Sequence, residues 1–141
     1  MNELSKYVWH DTVLTEIVID RSDPGHRDTV RLSVRWPEWE PKPEFPSAVV
    51  EFSGCYLLEM NMNFGVIAQE SISELTLESE NPVIADLERK FDVEGLHAAT
   101  FEFSSTGSLI RIVAQAVTII PVRTIFSEGV EAEATRENIK A

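Results

Sequence analysis

Apolar and polar residues alternate along most of this chain. In 29–36, TVRLSVRW, Val30, Leu32, Val34 and Trp36 fall on one side and Arg31, Ser33 and Arg35 on the other, the period of a strand with one buried face. The stretch 12–20, TVLTEIVID, reads the same way through Val13, Ile17 and Ile19. The intervening RSDPGHRD holds the turn-forming Asp23-Pro24-Gly25, so the two segments predict an antiparallel hairpin.

Residues 47–63, SAVVEFSGCYLLEMNMN, keep Ala48, Val50, Phe52, Tyr56, Leu58, Met60 and Met62 on one face. A single strand of that length exceeds the usual limit of about 10 residues, so the pattern predicts two strands broken by a loop at Ser53-Gly54-Cys55. An odd loop pairs Phe52 with Tyr56 and preserves the apolar face; the alternative is one long strand bent sharply at Gly54. A further strand is expected at ISELTLE, 72–78. NPVIADLERKF predicts a helix near 82–91: Asn81 suits the N-cap, Pro82 the first turn, and Ile84, Leu87 and Phe91 share a side, with Gly95 beyond the end. ATFEFSS, a turn at Thr106-Gly107 and LIRIVAQAVTII predict a second hairpin. The pattern specifies a β-rich domain, α+β or sandwich-like, built from antiparallel hairpins with one helix. It forms a single domain over 1–126, with a polar tail over 127–141.

Composition narrows the function. The chain has 141 residues, and 43% hydrophobic content is enough for a real core. Cys55 is the one cysteine, so no internal disulfide forms and a cytoplasmic location is expected. The N-terminus has no apolar run of the signal-peptide kind, and LIRIVAQAVTIIPV is interrupted by Arg111, Gln115 and Thr118, so a soluble protein without a membrane span is expected. The net charge of −12 opposes binding to nucleic acid or anionic membranes. Residues 47–107 carry eleven acidic and two basic residues. That is either a solvated surface or an acidic face suited to a basic protein partner.

No motif establishes a chemistry. His10 and Asp11, in WHD, have the residue types of an acid–base pair and were they to continue the strand they would point to opposite faces. The alternative role is strand entry, with Trp9 anchored in the core. His10, His26 and His97 are isolated in sequence, and no HxH, HExxH or CxxC occurs, so neither metal nor cofactor is expected. Cys55 lies among apolar and acidic residues, which raise a thiol pKa and oppose nucleophilic use. Glu59, Asn61 and Asn63 share the odd face of one strand and Glu51 that of its partner. They form either a solvated row or a ligand groove with paired carboxylates. Leu57 and Val49 on the same face call for some cover. The proline-rich WPEWEPKPEFP predicts a stiff loop whose Trp39 and Phe45 either fold onto the sheet or anchor a partner.

With WHDTVLTEIVIDR, VRLSVRWPE and MNFG in view, the chain resembles small acidic bacterial proteins that begin with a Trp- or Phe-His-Asp stretch followed by β-hairpins, and is similar to immunity-type proteins of toxin systems. The resemblance covers mainly residues 7–65. It implies a non-enzymatic, cytoplasmic binder and carries over no catalytic residue. The leading expectation is therefore a protein-binding module that uses Trp39, Glu51, Glu59, Asn61 and Asn63. The alternatives are a small-molecule binding domain or hydrolase with a sheet-face pocket including His10 and Asp11, and an oligomer-forming domain; the sequence does not specify an oligomeric state.

Overall fold

A computed structural model of the chain describes residues 1–23, 28–39, 41–65 and 69–122. The alternating segments form one antiparallel sheet. Its strands are β1 (Val13–Asp20), β2 (Thr29–Arg35), β3 (Ser47–Asn61), β4 (Ile72–Glu78), β5 (His97–Phe103) and β6 (Leu109–Val122), in the order β1-β2-β3-β6-β5-β4. A 3-10 turn over Asn2–Lys6 precedes them, and the helix α1 spans Pro82–Phe91. The β-rich architecture with two hairpins and one helix is the one expected. The Pro24-Gly25 part of the first turn and the expected tail over 127–141 lie outside the described residues.

The expected break at Ser53-Gly54-Cys55 is not a loop. β3 is a single strand of 15 residues, paired with the 14 residues of β6 from Ser47↔Val122 to Asn61↔Leu109. Phe52 therefore pairs with Val117 rather than Tyr56. Two local features bend it: Gly54 adopts φ +60, and the register shifts between Cys55 and Leu57. The extra residue turns Tyr56 away from the apolar face, as a bulge does. Tyr56 and Leu57 both pack outside, beneath α1.

The long strands serve two half-sheets. β2 pairs with Ser47–Ser53 of β3, whereas β5 pairs with the opposite end of β6, from Leu109 to Ala114. A strand that passes through a bend from one layer to the next makes the corner of two packed sheets. Here the inner faces of both halves meet in one core, which includes Val30, Leu32, Val50 and Phe52 from one side and Phe101, Ile110 and Ile112 from the other. The Phe52 and Phe101 rings touch edge to face at 6.2 Å. Burying each such side chain contributes about 1.5–3 kcal/mol.

The free edges then meet. The Asp11 N–H donates to the Ile72 carbonyl (2.8 Å), the Ile72 N–H to Thr12 (2.8 Å) and the Leu14 N–H to Glu70 (2.9 Å). β1 and β4 thereby cover each other's edges at their starts, where unpaired groups would otherwise invite pairing with another chain. Trp9 enters the core beside this seam, with its indole N–H donating to the Leu4 carbonyl at 2.7 Å.

α1 begins where Asn81 Oδ1 accepts the Ile84 N–H (2.8 Å), and it ends on Asp92 in the left-handed region. Its Ile84 packs with Leu96, Ala98 and Val113 on the outer face of β5 and β6. No helix among the described residues is long and apolar enough to cross a membrane.

A side chain at Gly54 would both occupy a left-handed φ and meet Gln115, whose Oε1 lies 2.4 Å and whose Cβ 3.1 Å from an added Cβ. Gly54→Ala is expected to cost about 2 kcal/mol in urea unfolding, since the backbone penalty alone is about 1–2 kcal/mol. Combining it with Gln115→Ala should recover the part due to the Oε1 contact and leave the rest.

Candidate functional site

His10 and Asp11 do not continue a strand. The Thr12 N–H donates to the Trp9 carbonyl at 3.0 Å, closing a tight turn across them, and Asp11 has φ +71. Because both lie in the turn, their side chains can meet, contrary to the opposite-face argument: His10 Nδ1 lies 3.0 Å from Asp11 Oδ2. Positive φ at the third turn residue is the requirement of a type II turn, a position that favours Gly. Here the conformation aims the Asp11 N–H at β4. The pair is solvent-exposed, with side chains 67% and 44% accessible, which screens their attraction. Trp9 takes the anchoring role expected of it.

The two glutamates of the expected polar row are held apart. Glu51 Oε2 accepts from Arg31 Nε at 2.8 Å across the β2–β3 register, and Arg31 also reaches Asp20 at 3.5 Å. The bond to Glu51 holds the Arg31 guanidinium above its ordinary pKa. Asp20 accepts from the Ser22 hydroxyl (2.7 Å) and N–H (2.9 Å), and with Arg31 nearby its pKa lies below the usual aspartate value. Glu59 pairs with Arg111 at 3.2 Å, directly opposite on β6. Glu51 and Glu59 are eight residues apart on β3, on the order of 20 Å, with the α1 contacts of Tyr56 and Leu57 between them. Each carboxylate is matched to an arginine rather than to the other.

Asn61 is exposed at the end of β3. Asn63, two residues on, enters a polar network: its N–H donates to Ser108 Oγ (2.9 Å) and its Nδ2 to the Thr106 carbonyl (3.2 Å). The Thr106 hydroxyl donates in turn to Glu70 Oε2 at 2.6 Å. Glu70 and Thr106 were not among the residues singled out from sequence. The row of alternating residues ends before them, and only the β5–β6 turn brings Thr106 to Glu70.

The proline-rich loop is closed at its base by the Trp36 N–H donating to the Pro46 carbonyl at 2.9 Å. Trp36 and Phe45 fold down: their rings are 5.6 Å apart, and Tyr7 packs against both. Trp39 does not, and 60% of its surface is exposed. Of the two aromatic residues singled out in the loop, Phe45 folds onto the core and Trp39 stays exposed.

Cys55 sits at the bulge, its thiol donating to the Phe52 carbonyl at 3.3 Å. Burial, reinforced by the negative charge of Asp28, pushes its pKa up to about 11. Among the described residues no group of three or more His, Cys, Asp or Glu is placed to hold a metal ion. His26 lies outside them.

The acidic residues of β4, α1 and β5 are arranged differently from those of β3. Residues 74–102 carry eight carboxylates and two basic side chains, Arg89 and Lys90. Arg89 pairs with Asp86 within the helix, and Lys90 lies over the Phe91 ring at 5.3 Å. Glu74 and Glu102 are exposed and directly opposite each other in the β4–β5 register. Among the described residues neither has an ion-pair partner. Like charges so placed repel and destabilise the sheet.

Two outcomes follow from this geometry. Asp11→Gly should change stability by less than about 1 kcal/mol, because relief of the left-handed strain offsets the added chain entropy, while Asp11→Val should cost about 1–2 kcal/mol; urea unfolding distinguishes them. The Cys55 thiol should react with iodoacetamide at pH 8 about two orders of magnitude more slowly in the native chain than in urea, since the raised pKa leaves little thiolate. Comparison with known protein families and with curated proteins finds no match to this chain.

Proposed function

We propose that the chain is a non-enzymatic protein-binding module, inhibitory in the manner of immunity proteins of toxin systems, that meets a basic partner through the outer face of β4 and β5. The observation that carries this reading is the exposed Glu74–Glu102 pair. A cross-strand repulsion that could be removed by one substitution costs stability in the free chain, and a cationic partner converts it into attraction. The exposed Trp39 supplies an aromatic anchor of the kind enriched at interfaces. The resemblance over residues 7–65 agrees with a binder.

Glu51 and Glu59 are separated and each pairs with an arginine, so they do not act together as the paired carboxylates of a hydrolase. A binder needs no such pair.

Affinity capture from native lysate tests the reading. A basic partner should be retained at low salt and released as ionic strength approaches about 1 M, where the Debye length falls to about 3 Å. Glu102→Lys should weaken capture at low salt and yet stabilise the chain by about 0.2–1 kcal/mol, since it creates an opposite-charge pair with Glu74. Trp39→Ala should weaken capture at low salt. Retention indifferent to salt and to Glu102→Lys would exclude the acidic-face mechanism.

A further inference from the structure

A cavity of about 340 Å³ opens beside the seam that joins β1 to β4. Leu14, Ile17 and Met62 form its apolar wall, Glu70 and Thr106 contribute polar groups, and Phe64, 87% exposed, stands at its rim. The main chain of Glu70 is fixed by the seam, its carbonyl accepting from the Leu14 N–H at 2.9 Å. Its side chain is engaged on one oxygen only. Oε2 takes the Thr106 hydroxyl at 2.6 Å, whereas Oε1 is withdrawn from solvent and accepts no hydrogen bond among the described residues.

The surrounding donors are already committed. The Asn63 side chain donates to the Thr106 carbonyl and the Asn63 N–H to Ser108 Oγ, and the Ser108 and Thr106 hydroxyls contact each other. What the network lacks is a donor for Glu70 Oε1. Such an unmet buried acceptor is uncommon in native proteins and calls for a partner. Among the described residues the lining adds a second carboxylate, Glu16, and contains no lysine, arginine or histidine.

Building on the protein-binding reading above, we propose that this cavity receives one lysine side chain of the basic partner. The ammonium bonds Glu70 Oε1 while the four-carbon stem lies along Leu14, Ile17 and Met62. Lysine fits better than arginine because Thr106 occupies the other oxygen: a guanidinium prefers both oxygens of a carboxylate, whereas an ammonium is a point charge content with one. Entry of the ammonium displaces the lining side chains that screen Oε1 from solvent, with the Thr106 bond to Oε2 kept. Phe64 at the rim adds an aromatic face to the cation's path.

The test titrates the full chain with N-acetyl-lysine methylamide and follows the methyl signals of Met62, Leu14 and Ile17 by NMR. Saturable shifts in the millimolar range are expected, as for any ligand of this size. N-acetyl-norleucine methylamide, with an apolar stem and no ammonium, and the arginine analogue should each bind at least about tenfold more weakly. Glu70→Gln should weaken lysine binding by a similar factor. Phe64→Ala, at a side chain too exposed to support the fold, should weaken it several-fold. Equal binding of norleucine, or unchanged binding by Glu70→Gln with its melting transition intact, would overturn the proposal. Failure of the pocket is distinguishable from failure of the binder reading: a basic partner captured equally by wild type and Glu70→Gln, yet released by salt, overturns the lysine pocket and leaves the acidic face standing.

Discussion

The close approach of Gly54 to Gln115 is the constraint on which the rest of the structure depends. β3 and β6 run together for their whole lengths, and each is flanked by a different hairpin partner at its two ends. Left flat, such a sheet would expose both apolar half-faces. The bend at Gly54, with the adjacent bulge, folds one half over the other so that Phe52 meets Phe101. Only then do the starts of β1 and β4 come within hydrogen-bonding reach, and the seam between them determines where Asp11, Thr12 and Glu70 lie.

Alternation made most of the strands legible because it records burial one residue at a time: Val30, Leu32 and Val34 read as inward and are inward. The helix was legible for a different reason, since its cap is a local hydrogen bond from one side chain to a main-chain N–H three residues on. At the centre of β3 the expected loop does not form and the alternative, one long strand bent at Gly54, does, because strand length is a weaker guide than glycine. A bulge shifts a face without interrupting pairing, so Tyr56 kept the parity of an inward residue while packing outward on Phe91 at 5.2 Å. The same limit applies at the candidate sites. The identity of Glu51 and Glu59 was visible, but the arginines that neutralise them come from neighbouring strands and depend on register, which alternation alone does not specify. Glu70 was invisible as a site because its oxygens are distinguished only by the tertiary approach of Thr106.

Charge divides the surface along the same lines as the two half-sheets. On β2 and β3 the carboxylate of Glu51 pairs with Arg31, which also reaches Asp20 at the end of β1, whereas Glu16 on β1 has no ion-pair partner among the described residues. On β4 and β5 the facing glutamates have no such compensation among the described residues. A uniform requirement for solubility would be met by acids placed anywhere on the surface. Two placed opposite each other in register put negative potential where the free chain gains least from it, and it is on this cost that the proposed acidic-face binding is argued.

Glu70 joins the two themes, because its main chain closes the sheet and its side chain holds the unmet acceptor. A cation seated on Oε1 would act on a residue whose carbonyl already ties β4 to Leu14. Binding there would favour the closed seam over any state in which β1 and β4 part, by mass action in proportion to occupancy. The closure of the sheet and the proposed lysine site thus share one residue. In the free chain that residue leaves one oxygen without a hydrogen bond among the described residues, a cost of about 1–3 kcal/mol, while its other oxygen holds the Thr106 hydroxyl. An apolar side chain at position 70 would keep the main-chain hydrogen bond and remove that penalty, at the cost of the acceptor that the Thr106 hydroxyl uses. Closure of the sheet uses only the main chain of residue 70, so the carboxylate is accounted for by Thr106 on one oxygen and by the proposed lysine on the other.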